Sequence, residues 1–370
     1  MANDEFSFIH QYFSHLNPGF AREAEKMGLV LGIGDDAALI KMDGTYAITT
    51  DTLVENVHFF TNFNPRLLGA RTLEVNFSDL YAMGAQPQFV TLSLDIPDRY
   101  VDFDEFWGPF SEGLEACLAS HNTVLVGGNV THVTQRNAPL TISVTAFGKS
   151  FEEGRSLRRN TAKPGDIIAV TGTLGSNGLY VKAMYNNSVR NMDTDARRRF
   201  EEHAFGYDPR MSLFVRELIK FSNCAIDVSD GLLGDMSHVL VQSRARALLN
   251  YESLPLDPVA SSLLSDFKMS AKALLKLALS SGGDYNILFT CSPKDFEALT
   301  KHCAQIPELK GFRVTAIGEV VELRDDDVYN DNSLATDGGL ITIVNNKCQE
   351  VALKLGTGSF NHFIANSGLS

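Results

Sequence analysis

The sequence predicts a two-domain fold mixing strands and helices, α/β of the α+β type, and three observations carry that expectation. Apolar strand-like runs alternate with helical patterns along the chain. A polar, basic stretch at Lys149–Lys163, with Arg155, Arg158 and Arg159, interrupts the alternation, which restarts at Pro164-Gly165. The length of 370 residues, 44% of them apolar, is also long for one core. The boundary is therefore placed near residue 152, giving domains over 1–152 and 153–370.

In order, a strand is expected at Thr45–Thr50, a helix over Pro65–Met83, a strand at Gln88–Leu94 and a helix near Asp104–Ser120. Strands at Thr123–Val126 and Leu140–Gly148 complete the first domain. The second opens on the strand Asp166–Val170 and carries a strand-to-helix unit at Ala225–Leu240. A helix over Ala271–Leu279, a strand at Tyr285–Thr290 and a β-rich stretch around Arg313–Val321 follow.

Composition excludes several function classes. A net charge of −13 and pI near 5.1 disfavour a phosphate-tracking surface, so no nucleic-acid partner is expected. The cysteines Cys117, Cys224, Cys291, Cys303 and Cys348 are scattered and odd in number, which suits reduced thiols rather than disulfides or zinc. Met1 to His10 lacks the basic start and apolar run of a signal peptide, and no stretch approaches the roughly 20 apolar residues of a membrane helix. A soluble, cytoplasmic protein without a membrane partner is expected.

The chemical signal is a set of aspartates at turns and strand ends. Gly32-Ile33-Gly34-Asp35-Asp36 sets two carboxylates after a flexible turn, as Mg²⁺ ligands or as a solvated acidic turn. Thr49-Thr50-Asp51-Thr52 is read as the exit of a strand, with Asp51 flanked by hydroxyls that could help hold a cation or cap a helix. In Asn76-Phe77-Ser78-Asp79, helical spacing puts Asn76, Asp79 and Met83 on one face, ligating or solvated. Asp227-Val228-Ser229-Asp230 runs from strand into helix, with Ser229 placed to cap it and the acids able to hold cations that bridge to phosphate; an ordinary capped helix is the alternative. The glycine-rich turn Gly172-Thr173-Leu174-Gly175 lacks the Walker lysine, so no P-loop is expected. His58, beside Phe59, reads either as structural or as part of a site.

In order and spacing, GIGDDAAL, TTDTLVENVHF, VNFSDLYAMGAQP, LVGGN, AKPGDIIAVTGTLG, AIDVSDGLLGD, ALSSGGDYNILFT and AIGEV resemble the motif series of thiamine-monophosphate kinases, from Glu5 to about Phe363. These belong to the aminoimidazole-ribonucleotide-synthetase-like superfamily. The resemblance implies two α/β domains, and a homodimer whose N-terminal mixed sheets join into a barrel. It implies ATP and several Mg²⁺ ions, and direct in-line transfer of phosphoryl to thiamine monophosphate. Asp36, Thr49, Thr50, Asp51, Asp79, Asp227 and Asp230 fall on the family's magnesium positions, and Asp36, Asp51, Asp79 and Asp230 are the expected catalytic acids. Gly128, Arg159 and Ser229 fall on ATP contacts, and His58 on a contact to the thiamine phosphate.

Departures are specific. The family's Gly-Gly-Asp-Thr appears as Gly127-Gly128-Asn129-Val130, so Asn129 stands at a metal and nucleotide position as a neutral amide. Ser-Gly-Gly-Glu-Asp-Tyr-Glu-Leu aligns on Ser280–Ile287, which turns two glutamates into Gly283, at a substrate position, and Asn286. A C-terminal aromatic of the acceptor pocket falls on Phe360. These changes leave three readings: an active kinase, a protein of the same fold that binds ATP without turnover, or a relative acting on another phosphate ester.

Overall fold

A computed structural model describes residues 5–16, 21–101, 103–324 and 340–351. The chain divides into two compact units, Met1–Gly154 and Arg155–Ser370. The first contains α1 (Glu5–Tyr12), α2 (Ala21–Met27), β1 (Leu29–Leu31), β2 (Leu39–Ile40), β3 (Tyr46–Val54), α3 (Pro65–Ala82), β4 (Ala85–Pro97), α4 (Asp98–Val101), α5 (Asp104–His121), β5 (Val124–Val133) and β6 (Thr141–Ser150). The second contains β7 (Ile167–Thr171), α6 (Ser176–Tyr185), α7 (Thr194–Phe205), α8 (Met211–Leu218), β8 (Cys224–Val228), α9 (Leu232–Ser243), β9 (Arg246–Asn250), α10 (Pro258–Ser262), α11 (Ala271–Ser280), β10 (Asn286–Cys291), α12 (Pro293–Ala304), β11 (Val314–Val321) and β12 (Ile341–Val344).

Unit 1 is built on a mixed sheet of order β3-β6-β4-β5, antiparallel except for the β4/β5 pair. Helix α3 packs on β3, β6 and β4, and α5 packs on α3. Asn64 caps α3 by accepting from the N–H groups of Arg66 and Leu67, and Pro65 begins the helix, where its missing N–H costs nothing. Most of α3 is buried, including Leu73, Phe77 and Leu80, so this helix is a core element rather than a surface one. Several strands run further than the sequence suggested; β4, for one, spans Ala85–Pro97 rather than Gln88–Leu94. β3 continues through Asp51 to Val54, and β5 continues through Gly127-Gly128-Asn129 to Val133. Ladder pairing overrides glycine's low strand propensity here. A Cβ at Gly128 would stand 1.9 Å from the Leu92 carbonyl oxygen, so β5 passes β4 too closely for any side chain.

Unit 2 holds a six-stranded sheet of order β12-β9-β11-β7-β10-β8, antiparallel except for β9/β12. Ile226, Val228, Val170 and Leu288 lie in its core, with Leu232, Leu233 and Met236 of α9. Because β10 runs antiparallel to both β7 and β8, three segments meet at one end of the sheet: the turn after Thr171, the turn after Val228, and the approach to Asn286. Among the described residues, no helix is long and apolar enough to cross a membrane.

Candidate active site

In unit 1 the period of two along β3 separates the candidate residues. Thr49 and Asp51 face α3, whereas Thr50 and Thr52 lie exposed on the other face, where their hydroxyls bond those of Thr145 and Ser143, respectively, on β6. The Thr49 hydroxyl donates to the Asp79 carboxylate at 2.6 Å, and the Asp51 N–H donates to the side-chain oxygen of Asn76 at 3.0 Å. Asn76 is fully buried and its amide also donates to the Thr72 carbonyl at 3.3 Å, so α3 grips β3 beside Asp51. Asp51 therefore lies within the strand, not at its exit as the sequence suggested, because β3 stays paired with β6 as far as Val54.

The other unit 1 candidates stand apart from this group. Asp36 is exposed in the segment between β1 and β2, where its N–H bonds the Asp35 carboxylate at 2.8 Å. Asn129 sits on the opposite edge strand. Asp51 pairs with Val144, Val144 with Leu92 and Leu92 with Gly128, which puts the Gly128-Asn129 pair three strands away. At a spacing of about 4.8 Å per strand that is about 14 Å. The Asn129 amide donates to the Thr131 hydroxyl at 2.9 Å. His58 is exposed in the turn after β3, and its Nδ1 accepts the Val54 N–H at 2.9 Å. That turn is anchored by Glu55, which sequence reasoning missed. Glu55 is 2% exposed, accepts from the Leu140 N–H and the Tyr100 hydroxyl, and pairs with Arg99. Burial pushes its carboxyl up, but these bonds win and hold it below the usual range.

In unit 2 Asp227 is 2% exposed inside the wholly buried strand β8. The turn after it differs from the expected cap. Ser229 does not cap α9; the cap position is Gly231, with φ +110° and no side-chain bond. Instead the Asp235 carboxylate, in the first helical turn, accepts the Asp230 N–H at 3.0 Å. Burial first, then the like charges of Asp227 and Asp230, push the Asp235 carboxyl up to about 8, while Arg159 opposes the rise. Arg159 is exposed, and its carbonyl accepts from the Ser243 hydroxyl at 2.8 Å. Burial and the Arg159 charge both hold the nearby His238 ring below its usual value. Asp235 was legible only as an acid in the first turn of a helix, a common and unspecific signal.

The segment before β10 lies across this turn. The N–H of Gly283 donates to the Ser229 carbonyl at 2.8 Å, and that of Tyr285 to the Val228 carbonyl at 2.8 Å. The Asp284 carboxylate accepts the Gly175 N–H at 3.1 Å, and the Asn286 amide donates to the Thr173 carbonyl at 2.8 Å. Asn286 is thus committed to holding the glycine-rich turn. Phe360 lies outside the described residues.

Comparison with known proteins follows the same lines. The family model of the AIR synthase related protein N-terminal domain matches residues 34–150. Thiamine-monophosphate kinase of Buchnera aphidicola subsp. Acyrthosiphon pisum is 36% identical over 304 residues, 81% of this chain and 86% of that protein. The crystal structure of thiamine-monophosphate kinase from Stenotrophomonas maltophilia superposes with a TM-score of 0.71 at 32% identity, covering 82% of this chain and 92% of that one. AaThiL complexed with AMPPCP and TMP shares the fold, with a TM-score of 0.68, 23% identity and 97% of each chain covered. With this identity spread over both units and most of each relative's length, the chain belongs to the thiamine-monophosphate kinase family.

Proposed function

We propose that the chain transfers the γ-phosphoryl group of ATP to thiamine monophosphate in one in-line, Mg²⁺-dependent step, without a phosphoenzyme. An acceptor phosphate oxygen forms the new bond to the γ-phosphorus as the bond to ADP breaks, giving ADP and thiamine diphosphate. The observation that carries the reading is the set of Asp227, Asp230 and Asp235 near Arg159, in a member of this kinase family whose relative of like fold is complexed with AMPPCP and TMP. Asp235 feels the charges of Asp227 and Asp230 more strongly than Arg159 offsets them, so a cation bound beside it would relieve it.

The donor set fits Mg²⁺, being carboxylate, hydroxyl and amide oxygens throughout. Among the described residues, no group of three or more His, Cys, Asp or Glu could hold a metal ion. A Mg²⁺ ion here would be bound through one or two carboxylates, with phosphate and water completing its shell. Asp51, Asp79 and Thr49, with Asp36, Thr50 and Asn129, are the ligands we assign in unit 1, and Asp227 and Asp230 those in unit 2. Bound Mg²⁺ would offset the charge on the transferring phosphoryl oxygens. Gly128, Asn129, Arg159 and Ser229 are assigned to ATP, which is held without a Walker lysine. His58, Gly283 and Phe360 are assigned to the acceptor. With Nδ1 accepting from Val54, the neutral His58 ring carries its proton on Nε2, a donor suited to a phosphate oxygen.

A homodimer is part of the same reading. β3 and β5 end their sheet with nine and ten residues respectively, and Ile48 on β3 is 62% exposed. Long open edges invite strand pairing with a second copy. The test is conversion of thiamine monophosphate to thiamine diphosphate by purified protein with ATP and Mg²⁺. Tight ATP binding without conversion of any phosphate ester would favour a non-catalytic ATP binder instead, a reading motivated by the neutral Asn129 and its bond to Thr131.

A further inference from the structure

One polar group at the sheet end of unit 2 has no part in the assignment above. Asn177, in the first turn of α6, is 5% exposed, and its buried side-chain Nδ2 has no hydrogen-bond partner among the described residues. A buried amide donor left unpaired costs about 1–3 kcal/mol, so folded chains seldom keep one without a ligand or water for it. Its surroundings hold it in place. The Asp284 carboxylate takes the N–H of Gly175 just ahead of α6, and a Cβ at Gly178 would stand 2.5 Å from that of Ser281, so α6 and the segment before β10 are pressed together.

The amide stands against Gly283. A Cβ built there would lie 2.5 Å from the Asn177 oxygen and 3.1 Å from Nδ2, and Gly283 has φ +92°. The backbone conformation strains any side chain at 283, and one placed there would have to displace the Asn177 amide. Gly283 in turn donates to the carbonyl of Ser229, in the turn that joins Asp227 to Asp230. This donor therefore sits beside two segments to which the phosphate and metal chemistry is assigned above.

We propose that Asn177 is a specificity-determining residue for the phosphate-ester acceptor, with Gly283 left bare to make room for its amide. The inference rests on the kinase reading and extends it. Nδ2 donates to a hydrogen-bond acceptor on the ester, a ring nitrogen, carbonyl or phosphate oxygen, and a small opening of the segment before β10 admits it.

The test uses the full-length protein with Asn177→Ala and Asn177→Asp, measuring KM for ATP and for thiamine monophosphate separately, together with thermal midpoints. Removing an unpaired buried donor leaves the midpoint of the alanine variant close to wild type. A lost hydrogen bond to the acceptor raises the acceptor KM about tenfold and leaves the ATP KM unchanged. Asn177→Asp, which offers no donor when ionised, raises the acceptor KM at least as far. A second readout is the ¹⁵N-labelled side-chain amide signal of Asn177, followed as thiamine monophosphate and a panel of other phosphate monoesters are added with AMPPCP.

Acceptor KM within twofold of wild type in both variants overturns the proposal, as does a parallel rise in both KM values, which would mark a merely structural role. Turnover of thiamine monophosphate with the Asn177 signal unmoved leaves the kinase reading standing and removes this one. A different ester moving the signal, with thiamine monophosphate neither bound nor converted, does the reverse. No ester moving it overturns the role of Asn177.

Discussion

Asp79→Asn separates charge from structure at the α3–β3 contact. The Thr49 hydroxyl donates to the Asp79 carboxylate at 2.6 Å, and an asparagine oxygen can accept the same bond. At this bond the charge assistance is lost, about 0.5–1.5 kcal/mol, since bonds to ionised acceptors are roughly twice as strong as neutral ones. For a chain of 370 residues that lowers the thermal midpoint by about 1–2 °C. The effect on catalysis is far larger if Asp79 holds Mg²⁺. A unit charge about 4 Å from a unit positive charge is worth about 4 kcal/mol at an effective dielectric of about 20, or close to a thousandfold in rate. The assay is thiamine diphosphate formation at saturating ATP, titrated with Mg²⁺, alongside differential scanning fluorimetry. A midpoint lowered by about 10 °C with preserved turnover would refute the reasoning, because it would make Asp79 a structural acid.

Three further outcomes are expected. Excess chelator should abolish thiamine diphosphate formation, and full activity without divalent metal would sink the Mg²⁺ assignment. Glu55→Ala should destabilise by about 2–4 kcal/mol, because it strands the Leu140 N–H and the Tyr100 hydroxyl and unpairs Arg99; urea denaturation reads this, and a loss under 1 kcal/mol would contradict it. The bond from His203 to Asp257, 2.9 Å long, raises the His203 pKa despite opposing burial, so its stabilisation is present below the unfolded value near 6.5 and fades as pH rises through the raised folded value. Denaturant midpoints of wild type and His203→Gln should accordingly differ most at about pH 5–6 and converge in alkali; a constant gap across pH would rule out this linkage.

Local chemistry made much of the architecture legible. The helical pattern from Pro65 marked α3, and the apolar runs marked β7, β8 and β10, because periodicity and burial leave their trace within a few residues. Strand ends were less legible. β3 and β5 run on past Asp51 and through Gly127-Gly128 because a neighbouring strand supplies their hydrogen bonds, and that partner lies far away in sequence. The expected cap at Ser229 failed for a related reason: Asp235, five residues beyond Asp230, reaches back to that N–H and leaves Gly231 as the cap.

The sequence by itself determined which carboxylates, glycines and hydroxyls were available and in what order, and through that motif series the family. Only the tertiary structure decided their company. Strand periodicity sent Thr50 to the face away from Asp51, and sheet order put Asn129 about 14 Å from it, three strand spacings across. Packing of α6 against the segment before β10 set the Asn177 amide where a side chain at 283 would stand. Such placements depend on which strands become neighbours and on how closely backbones approach, quantities fixed by the burial of distant residues rather than by the motif around each site.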